Sequence, residues 1–170
     1  MAARHFHWPR GVIRAGLVIA LGPGFTAGED CHAVIETIHP YPLEKPDTPE
    51  AYRHHFRLLR AGLTQWMNGV TSPRGMPSYE AFTAGIRAVL DQIRKSQQGN
   101  VLLVSSGGPI ATAVGQVLGI TPETTIELNM RIRNSAVTEF VFNPKRHMLL
   151  TYNTLPHLDD QSYRDWVSYA

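Results

Sequence analysis

The chain has 170 residues, of which 43% are hydrophobic and 18% are charged. This length corresponds to one domain, or to one domain with an extension, and the composition argues against wholesale disorder. A formal net charge of +2 gives no indication of nucleic-acid binding, the single cysteine, Cys31, excludes an intramolecular disulfide, and no apolar run reaches the length of a membrane span. We therefore expect a cytoplasmic protein.

The first 28 residues contain no Asp, Glu or Lys, and three arginines carry their only full charges. Residues 17–21 form a short apolar run with glycines on both sides, which predicts a buried strand. The five prolines between Gly22 and Pro49 predict a loop with short turns. Arginines followed by an apolar stretch also occur in secretory leaders, but no small-residue cleavage site follows this one.

The middle of the chain predicts two helices. The segment Asp47-Thr48-Pro49-Glu50 is typical of a helix start, with a capping side chain, a proline in the first turn and an acid near the positive end of the dipole. Apolar residues then recur on one helical face: Tyr52, Phe56, Leu59, Leu63 and Trp66. Asn68-Gly69 predicts the end of this helix. A second helix is predicted from after Ser78 to about Gln98-Gly99.

The pattern after Gly99 predicts a strand, a tight turn and a helix. Residues 101–104 are apolar throughout, as a central parallel strand requires, and residues 110–118 read as a helix closed by Gly119. Thr121-Pro122-Glu123 predicts the start of a short helix. Two strands are predicted at residues 136–142 and 148–152, joined by a hairpin turn.

The candidate functional site is the turn between strand and helix, formed by Ser105, Ser106, Gly107 and Gly108. A glycine turn at this position lets backbone N–H groups point at a ligand, the helix dipole favours an anion, and two serine hydroxyls add donors. Such a turn lies at the carboxyl end of its strand, where open α/β sheets bind ligands. The alternative is that the glycines only shape the turn and the serines only cap the helix.

No metal site is expected. The eight histidines show no HExxH or similar spacing, and a metal needs three or four converging ligands. Arg131 and Arg133 alternate as in a strand and are candidates either for phosphate contacts or for a solvated face. His157 follows a predicted strand and is interpreted as structural.

A series of short motifs in the second half of the chain resembles the histidine phosphatase superfamily, which has the phosphoglycerate mutase-like fold. The motifs are Val101 to Ser105 followed by Gly107-Gly108-Pro109-Ile110, then Leu128, Asn134-Ser135 and Val137-Thr138, and finally Asn153 with Pro156-His157-Leu158. The resemblance implies a three-layer α/β fold with a mostly parallel central sheet and helices on both faces, incomplete at the amino terminus. It also implies a phosphate-bearing small molecule or inorganic anion as the ligand. The resemblance implies no cofactor, because the family transfers phosphoryl groups without a metal.

The front of the chain departs from the pattern of this family. We expect residues 1–45 to be an atypical, loop-rich segment with one strand, and residues 46–170 to carry the phosphoglycerate mutase-like domain. Residues 17–21 are expected to occupy the family's first-strand position beside residues 101–104. The unusual composition of the first 28 residues also fits a misplaced start or an upstream change of reading frame.

The family transfers phosphoryl groups through a histidine in an Arg-His-Gly motif after the first strand, helped by a second histidine in a Ser-His-Gly-Gly turn. Here Ser106 stands at the position of the second histidine, and no Arg-His-Gly follows an apolar strand. Arg4-His5 has only the first two letters of that motif, so His5 is a partial candidate. We expect a weakly active or inactive family member. The alternatives are an active phosphomonoesterase with an unrecognised nucleophile, such as His5 or His7, and a non-enzymatic α/β interaction module.

Overall fold

The computed structural model of the chain describes residues 17–20, 27–39 and 46–169. Its main elements are β1 (Leu17–Ala20), α1 (Ala27–Glu36), α2 (Pro49–Met67), α3 (Tyr79–Ser96), β2 (Val101–Val104), α4 (Gly107–Leu118), α5 (Pro122–Asn129), β3 (Val137–Asn143) and β4 (Arg146–Thr154). Two short 3-10 helices follow, Pro156–Leu158 and Gln161–Trp166. The chain therefore has the predicted α/β fold.

Capping side chains determine where the two long helices begin. The Thr48 hydroxyl accepts a hydrogen bond from the Ala51 N–H at 3.1 Å at the start of α2. The Ser78 hydroxyl accepts one from the Ala81 N–H at 3.1 Å at the start of α3. Each bond satisfies a backbone donor that has no partner within its helix. Both predicted helices are confirmed, with their predicted starts.

The apolar stripe of α2 is only partly used in packing. Leu59 and Trp66 are buried, and the Trp66 indole N–H donates to the carbonyl of Pro77 at 2.9 Å. Tyr52 and Phe56, near the start of the same stripe, remain 47% and 42% exposed. The periodicity therefore predicted the helix correctly, whereas packing covers only its second half.

The helix α1 contradicts the prediction of a loop between Gly22 and Pro49. The prolines of that segment lie before and after residues 27–36, so none interrupts the helix. Val34 and Ile35 are 1% and 2% exposed and form a cluster with Leu59 of α2. Short helices are marginal by themselves, so this packing stabilises α1 more than its sequence pattern does.

The described strands form one parallel and one antiparallel pair. β1 runs parallel to β2, with Leu17 opposite Val101 and Ala20 opposite Val104. The predicted placement of the first strand is therefore confirmed for residues 17–20, while Leu21 lies outside the described residues. β3 and β4 form the predicted hairpin, and its antiparallel register has irregularities near Glu139.

The helix α4 lies at the centre of the packing, in contact with α3, α5 and β4. Its small residues allow this close approach, since Ala111 and Val114 are 0% and 1% exposed. A Cβ at Gly115 would lie 2.5 Å from the Thr125 hydroxyl of α5. Within the part of the chain that the structure describes, no helix is both long and apolar enough to cross a membrane.

Candidate anion site at the carboxyl edge of the parallel strands

The predicted turn lies where the two parallel strands end. β1 ends at Ala20 and β2 ends at Val104, and these two residues are paired. Only Ser105 and Ser106 separate β2 from the first residue of α4, Gly107. The amino end of α4 therefore starts directly at the carboxyl edge of the strands, the edge at which open α/β sheets bind ligands.

Ser106 occupies the N-cap position of α4 without using its side chain as a cap. Its backbone is extended (φ −81°, ψ 173°), and its hydroxyl accepts no hydrogen bond from the first turn of the helix. Thr48 and Ser78, at the same position of α2 and α3, both make that bond. The interpretation that the serines only cap the helix is therefore wrong for the Ser106 hydroxyl, which can be turned toward a ligand instead.

The two glycines of the turn have different surroundings. A Cβ built at Gly107 would lie 2.6 Å from Oδ1 of Asn129 and 3.6 Å from Cδ1 of Ile132. A Cβ at Gly108 would meet no other atom within 4 Å. The end of α5 therefore forms a wall on the Gly107 side of the turn, and the Gly108 side is open. Ser105, Ser106, Gly107 and Gly108 are all half-buried.

A tyrosine on β4 fixes the end of α5 that forms this wall. The Tyr152 hydroxyl donates a hydrogen bond to the carbonyl of Leu128 at 2.8 Å. Burial raises the pKa of Tyr152 to about 12, so the hydroxyl keeps its proton and remains a donor at neutral pH. The position of Asn129 beside Gly107 thus follows from a contact between distant segments.

Within the turn and its helix, the backbone supplies the positive potential. No residue from Val104 to Leu118 carries a charge, and the first turn of α4 contains no acid. The unpaired N–H groups at a helix amino end act like roughly half a positive charge. An anion is favoured there, by about 0.3–1 kcal/mol from the helix dipole at an exposed site.

Neither histidine of the family's two motifs stands at its expected sequence position after β1 or β2. The segment Ser105 to Ile110 contains no histidine, and Ser106 takes the second histidine's position. The residues directly after β1 are Leu21-Gly22-Pro23-Gly24, which lie outside the described residues and contain no histidine or arginine. His5 and His7 also lie outside the described residues. The first strand is therefore paired with β2 as the family pattern requires, but the Arg-His-Gly motif expected after it is absent from the sequence that follows.

A second group of polar residues lies at the open end of the β3–β4 hairpin, and the sequence analysis missed its organisation. The Asn153 side chain accepts from the N–H of Arg133 at 2.9 Å and donates to the carbonyl of Arg131 at 2.7 Å. The Arg133 guanidinium donates in turn to the Asn153 carbonyl. The two arginines thus belong to a structured turn. In the sequence, Asn153 and Ser135 stand out only as parts of the motifs that resemble the family.

Ser135 and His157 meet at this same end of the hairpin. The Ser135 hydroxyl lies 2.9 Å from Nε2 of His157, and both side chains are exposed. Among the described residues, no group of three or more His, Cys, Asp and Glu side chains is arranged to hold a metal ion. The polar side chains at this end of the hairpin are held by hydrogen bonds to one another and to the backbone.

Comparisons with known proteins show which family this chain is similar to. The family model of the histidine phosphatase superfamily (branch 1) matches residues 42–155. A protein named "Putative phosphoserine phosphatase 2" from Hydrogenobacter thermophilus is 26% identical over 110 residues, which are 62% of this chain and 53% of that protein. The chain thus spans about half the length of this relative, as the 53% coverage shows.

A second similarity concerns a much shorter stretch. The uncharacterized protein YqeB of Escherichia coli K12 is 83% identical over 23 residues, which are 14% of this chain and 4% of that protein. No solved structure matches the chain significantly. The family match covers more than half of the chain and includes the strand–turn–helix unit at residues 101–118. The chain therefore belongs to the histidine phosphatase superfamily.

Proposed function

We propose that this protein binds phosphate or phosphate monoesters at Ser105, Ser106, Gly107 and Gly108, and that it transfers phosphoryl groups weakly or not at all. The observation that carries the proposal is the turn itself. It begins a twelve-residue helix at the carboxyl edge of two parallel strands, and its N-cap hydroxyl makes no cap bond. Backbone N–H groups and this hydroxyl are suitable donors for phosphate oxygens.

Weak or absent catalysis follows from the chemistry of Ser106. A serine hydroxyl donates one hydrogen bond but cannot carry the positive charge of an imidazolium, so it stabilises the charge of a transferring phosphoryl group less. Loss of a single oxyanion donor costs about 3 kcal/mol of transition-state stabilisation in other enzymes. The missing Arg-His-Gly motif removes the family's nucleophile as well.

The rest of the proposal concerns organisation and environment. Residues 46–170 form the phosphate-binding domain, and residues 1–45 are its altered front segment. The ligand is a phosphate-bearing small molecule or an inorganic anion, and no metal or other cofactor takes part. The single cysteine supports a location in the cytoplasm, where disulfides are rare.

The binding part of the proposal is tested by thermal unfolding in phosphate, sulfate or vanadate. Since an anion that binds only the folded chain stabilises it, the melting temperature should rise with anion concentration in the millimolar range. Gly108→Asp places a carboxylate in the open side of the turn, where a Cβ meets nothing within 4 Å. This variant should remain folded, because an acid at a helix amino end is favourable, and should lose the response.

Gly108→Ala is the matched control, since it adds a Cβ at the same position without charge and should retain the response to anions. A flat response of the wild-type chain, or an equal response of Gly108→Asp and Gly108→Ala, would contradict binding at this turn. A salt effect on the whole surface would give equal responses in both variants.

The catalytic part is tested by hydrolysis of 4-nitrophenyl phosphate and of phosphoserine, the second ester being suggested by the name of the relative. We expect turnover at or close to the buffer blank. Turnover well above the buffer blank would contradict the proposal of a catalytically weak protein. Its loss in His5→Ala or His7→Ala would then identify the active phosphomonoesterase that the sequence left open.

A further inference from the structure

The open end of the β3–β4 hairpin stores backbone strain. Ser135 and Asn153 have φ angles of +58° and +57°, in the left-handed region that non-glycine residues rarely adopt. Among the described residues they are the two non-glycine residues with positive φ. Such strain costs on the order of 1–3 kcal/mol per residue and persists where surrounding contacts impose it, which is often at functional sites.

Hydrogen bonds between distant segments impose this conformation. Asn153 bridges the backbones of Arg131 and Arg133 through its side chain. The Thr154 hydroxyl donates to the carbonyl of Val137 at 3.1 Å across the two strands. Ser135 therefore lies on a turn that is held from both sides, one residue away from Asn134, whose side chain donates to Ser168 at 3.0 Å.

A serine hydroxyl and a histidine ring meet at this turn. The Ser135 hydroxyl oxygen and Nε2 of His157 are 2.9 Å apart, within the range of about 2.6–3.2 Å that serine nucleophiles and their bases show. Both side chains are exposed, so a substrate can reach them. The left-handed backbone of Ser135 presents its side chain on a strained turn, a feature also seen at nucleophilic serines.

A cleft is formed by residues that neighbour the pair in the chain, although neither Ser135 nor His157 lines it. It has a volume of about 420 Å³ and is lined by Arg133, Thr154, Leu155, Pro156, Leu158 and Asp159. Five of these residues flank His157 in the chain. The sixth, Arg133, lies two residues before Ser135. Four of the six lining residues are apolar or small, Arg133 adds a cation that can bind a carboxylate in a planar, bidentate manner, and Asp159 adds one negative charge.

We propose that Ser135 and His157 are a nucleophile and its general base for hydrolysis of small carboxylic esters that carry a negative charge. The Ser135 oxygen bonds to the ester carbonyl carbon while its proton passes to Nε2 of His157. The carbon–oxygen bond to the alcohol then breaks, and the alcohol leaves with that proton. Water attacks the acyl-serine with His157 as base, which releases the carboxylic acid and restores Ser135.

This site is independent of the proposed phosphate site, because it uses neither the turn at Ser106 nor phosphoryl chemistry. Arg133 selects the negatively charged ester, and its partner Asn153 keeps it in place. The alternative role of the Ser135–His157 bond is a structural clasp between the hairpin and the 3-10 helix that follows it. A clasp requires the hydrogen bond but gives no covalent chemistry, so the two roles differ in a measurable way.

The test uses a fluorophosphonate probe and two 4-nitrophenyl esters, the acetate and the anionic hemisuccinate. We expect the probe to add to the intact chain once and to map to Ser135, and the hemisuccinate to be hydrolysed faster than the acetate. Ser135→Gly removes the nucleophile and also relieves the positive φ, so it should fold and lose both labelling and turnover. His157→Gln should slow both by about 10²-fold or more.

Ser162→Ala is the control, since this exposed serine bonds only locally to Asp160 and should not affect labelling. An unlabelled but folded wild-type chain would overturn the proposal, as would labelling that persists in Ser135→Gly. Loss of stability in Ser135→Gly without any labelling of the wild type would establish the structural clasp. None of these outcomes depends on the response of the chain to phosphate.

Discussion

Ser106 shows how one residue affects what the turn at the start of α4 can do. The turn from β2 into α4 presents backbone donors at the carboxyl edge of the strands, whatever side chain stands at position 106. Binding of an anion needs those donors, whereas phosphoryl transfer also needs a charged or nucleophilic side chain. If the turn binds an anion as proposed, a serine at this position preserves the backbone donors for binding and weakens the stabilisation of a transferring phosphoryl group.

The two glycines of the turn provide a prediction about stability. Gly108→Ala should stabilise the chain by about 0.5 kcal/mol, because alanine restricts the unfolded chain and its Cβ meets nothing within 4 Å. Gly107→Ala should destabilise it by about 1 kcal/mol, because its Cβ would lie 2.6 Å from Oδ1 of Asn129. Urea denaturation measures both changes. Equal free energies of unfolding for the two variants would mean that Asn129 does not lie against Gly107 as described.

At the level of helices, α1 depends on a close contact with α2. Val34 is 1% exposed, and it faces Gly62, a glycine in the middle of α2. A Cβ at Gly62 would lie 2.7 Å from Cγ1 and 2.8 Å from the carbonyl oxygen of Val34. A side chain can rotate away from such a clash, but the carbonyl oxygen belongs to the backbone of α1.

Gly62→Ala should therefore push α1 away from α2 and destabilise the chain by roughly 2 kcal/mol, within the usual range for overpacking. Gly85→Ala is the matched control in α3, where a Cβ meets nothing within 4 Å, and it should stabilise by up to about 1 kcal/mol. Urea denaturation gives the free energies of unfolding, and limited proteolysis reports the release of α1. Equal effects of the two substitutions would contradict the close contact.

The same helices show why sequence predicted some elements and not others. α2 and α3 carry their own start signals, Thr48 and Ser78, and a regular apolar stripe, so local patterns suffice. α1 has no comparable pattern, and its stability comes from a contact with α2, which single-sequence periodicity cannot reveal. The nearby prolines favour a loop in the sequence, but all of them lie outside residues 27–36 and leave the helix uninterrupted.

For the molecule as a whole, the turn between β2 and α4 and the pairing of the first strand could be predicted, since both follow from buried apolar strands and a glycine turn. The Ser135–His157 contact could not be predicted. It joins residues on either side of the β3–β4 hairpin, and it depends on the left-handed backbone of Ser135. Serine has no strong preference for that conformation, so the residue type at position 135 does not predict it.

Two half-buried histidines make the stability of the whole chain depend on pH. Burial lowers the pKa of His55, with smaller contributions from His32 and His54 nearby. Burial also lowers the pKa of His147, and the effect of Arg94 in the same direction is opposed by Asp91. Among the described residues, Nε2 of His147 is buried without a hydrogen-bond partner. The folded state therefore favours the neutral form of both rings.

A histidine whose pKa is lower in the folded than in the unfolded chain takes up protons preferentially on unfolding. Its contribution is fully present above the unfolded pKa of about 6.5 and is lost as the pH falls below that value. We expect the urea midpoint to decrease from pH 8 to pH 5.5, a range above the titration of most carboxylates. His147→Phe keeps an aromatic ring beside Phe142 and should make this decrease smaller, whereas Lys145→Gln should leave it unchanged. A midpoint that does not change with pH, or an equal decrease in His147→Phe, would show that burial of these rings does not govern the acid sensitivity of the fold.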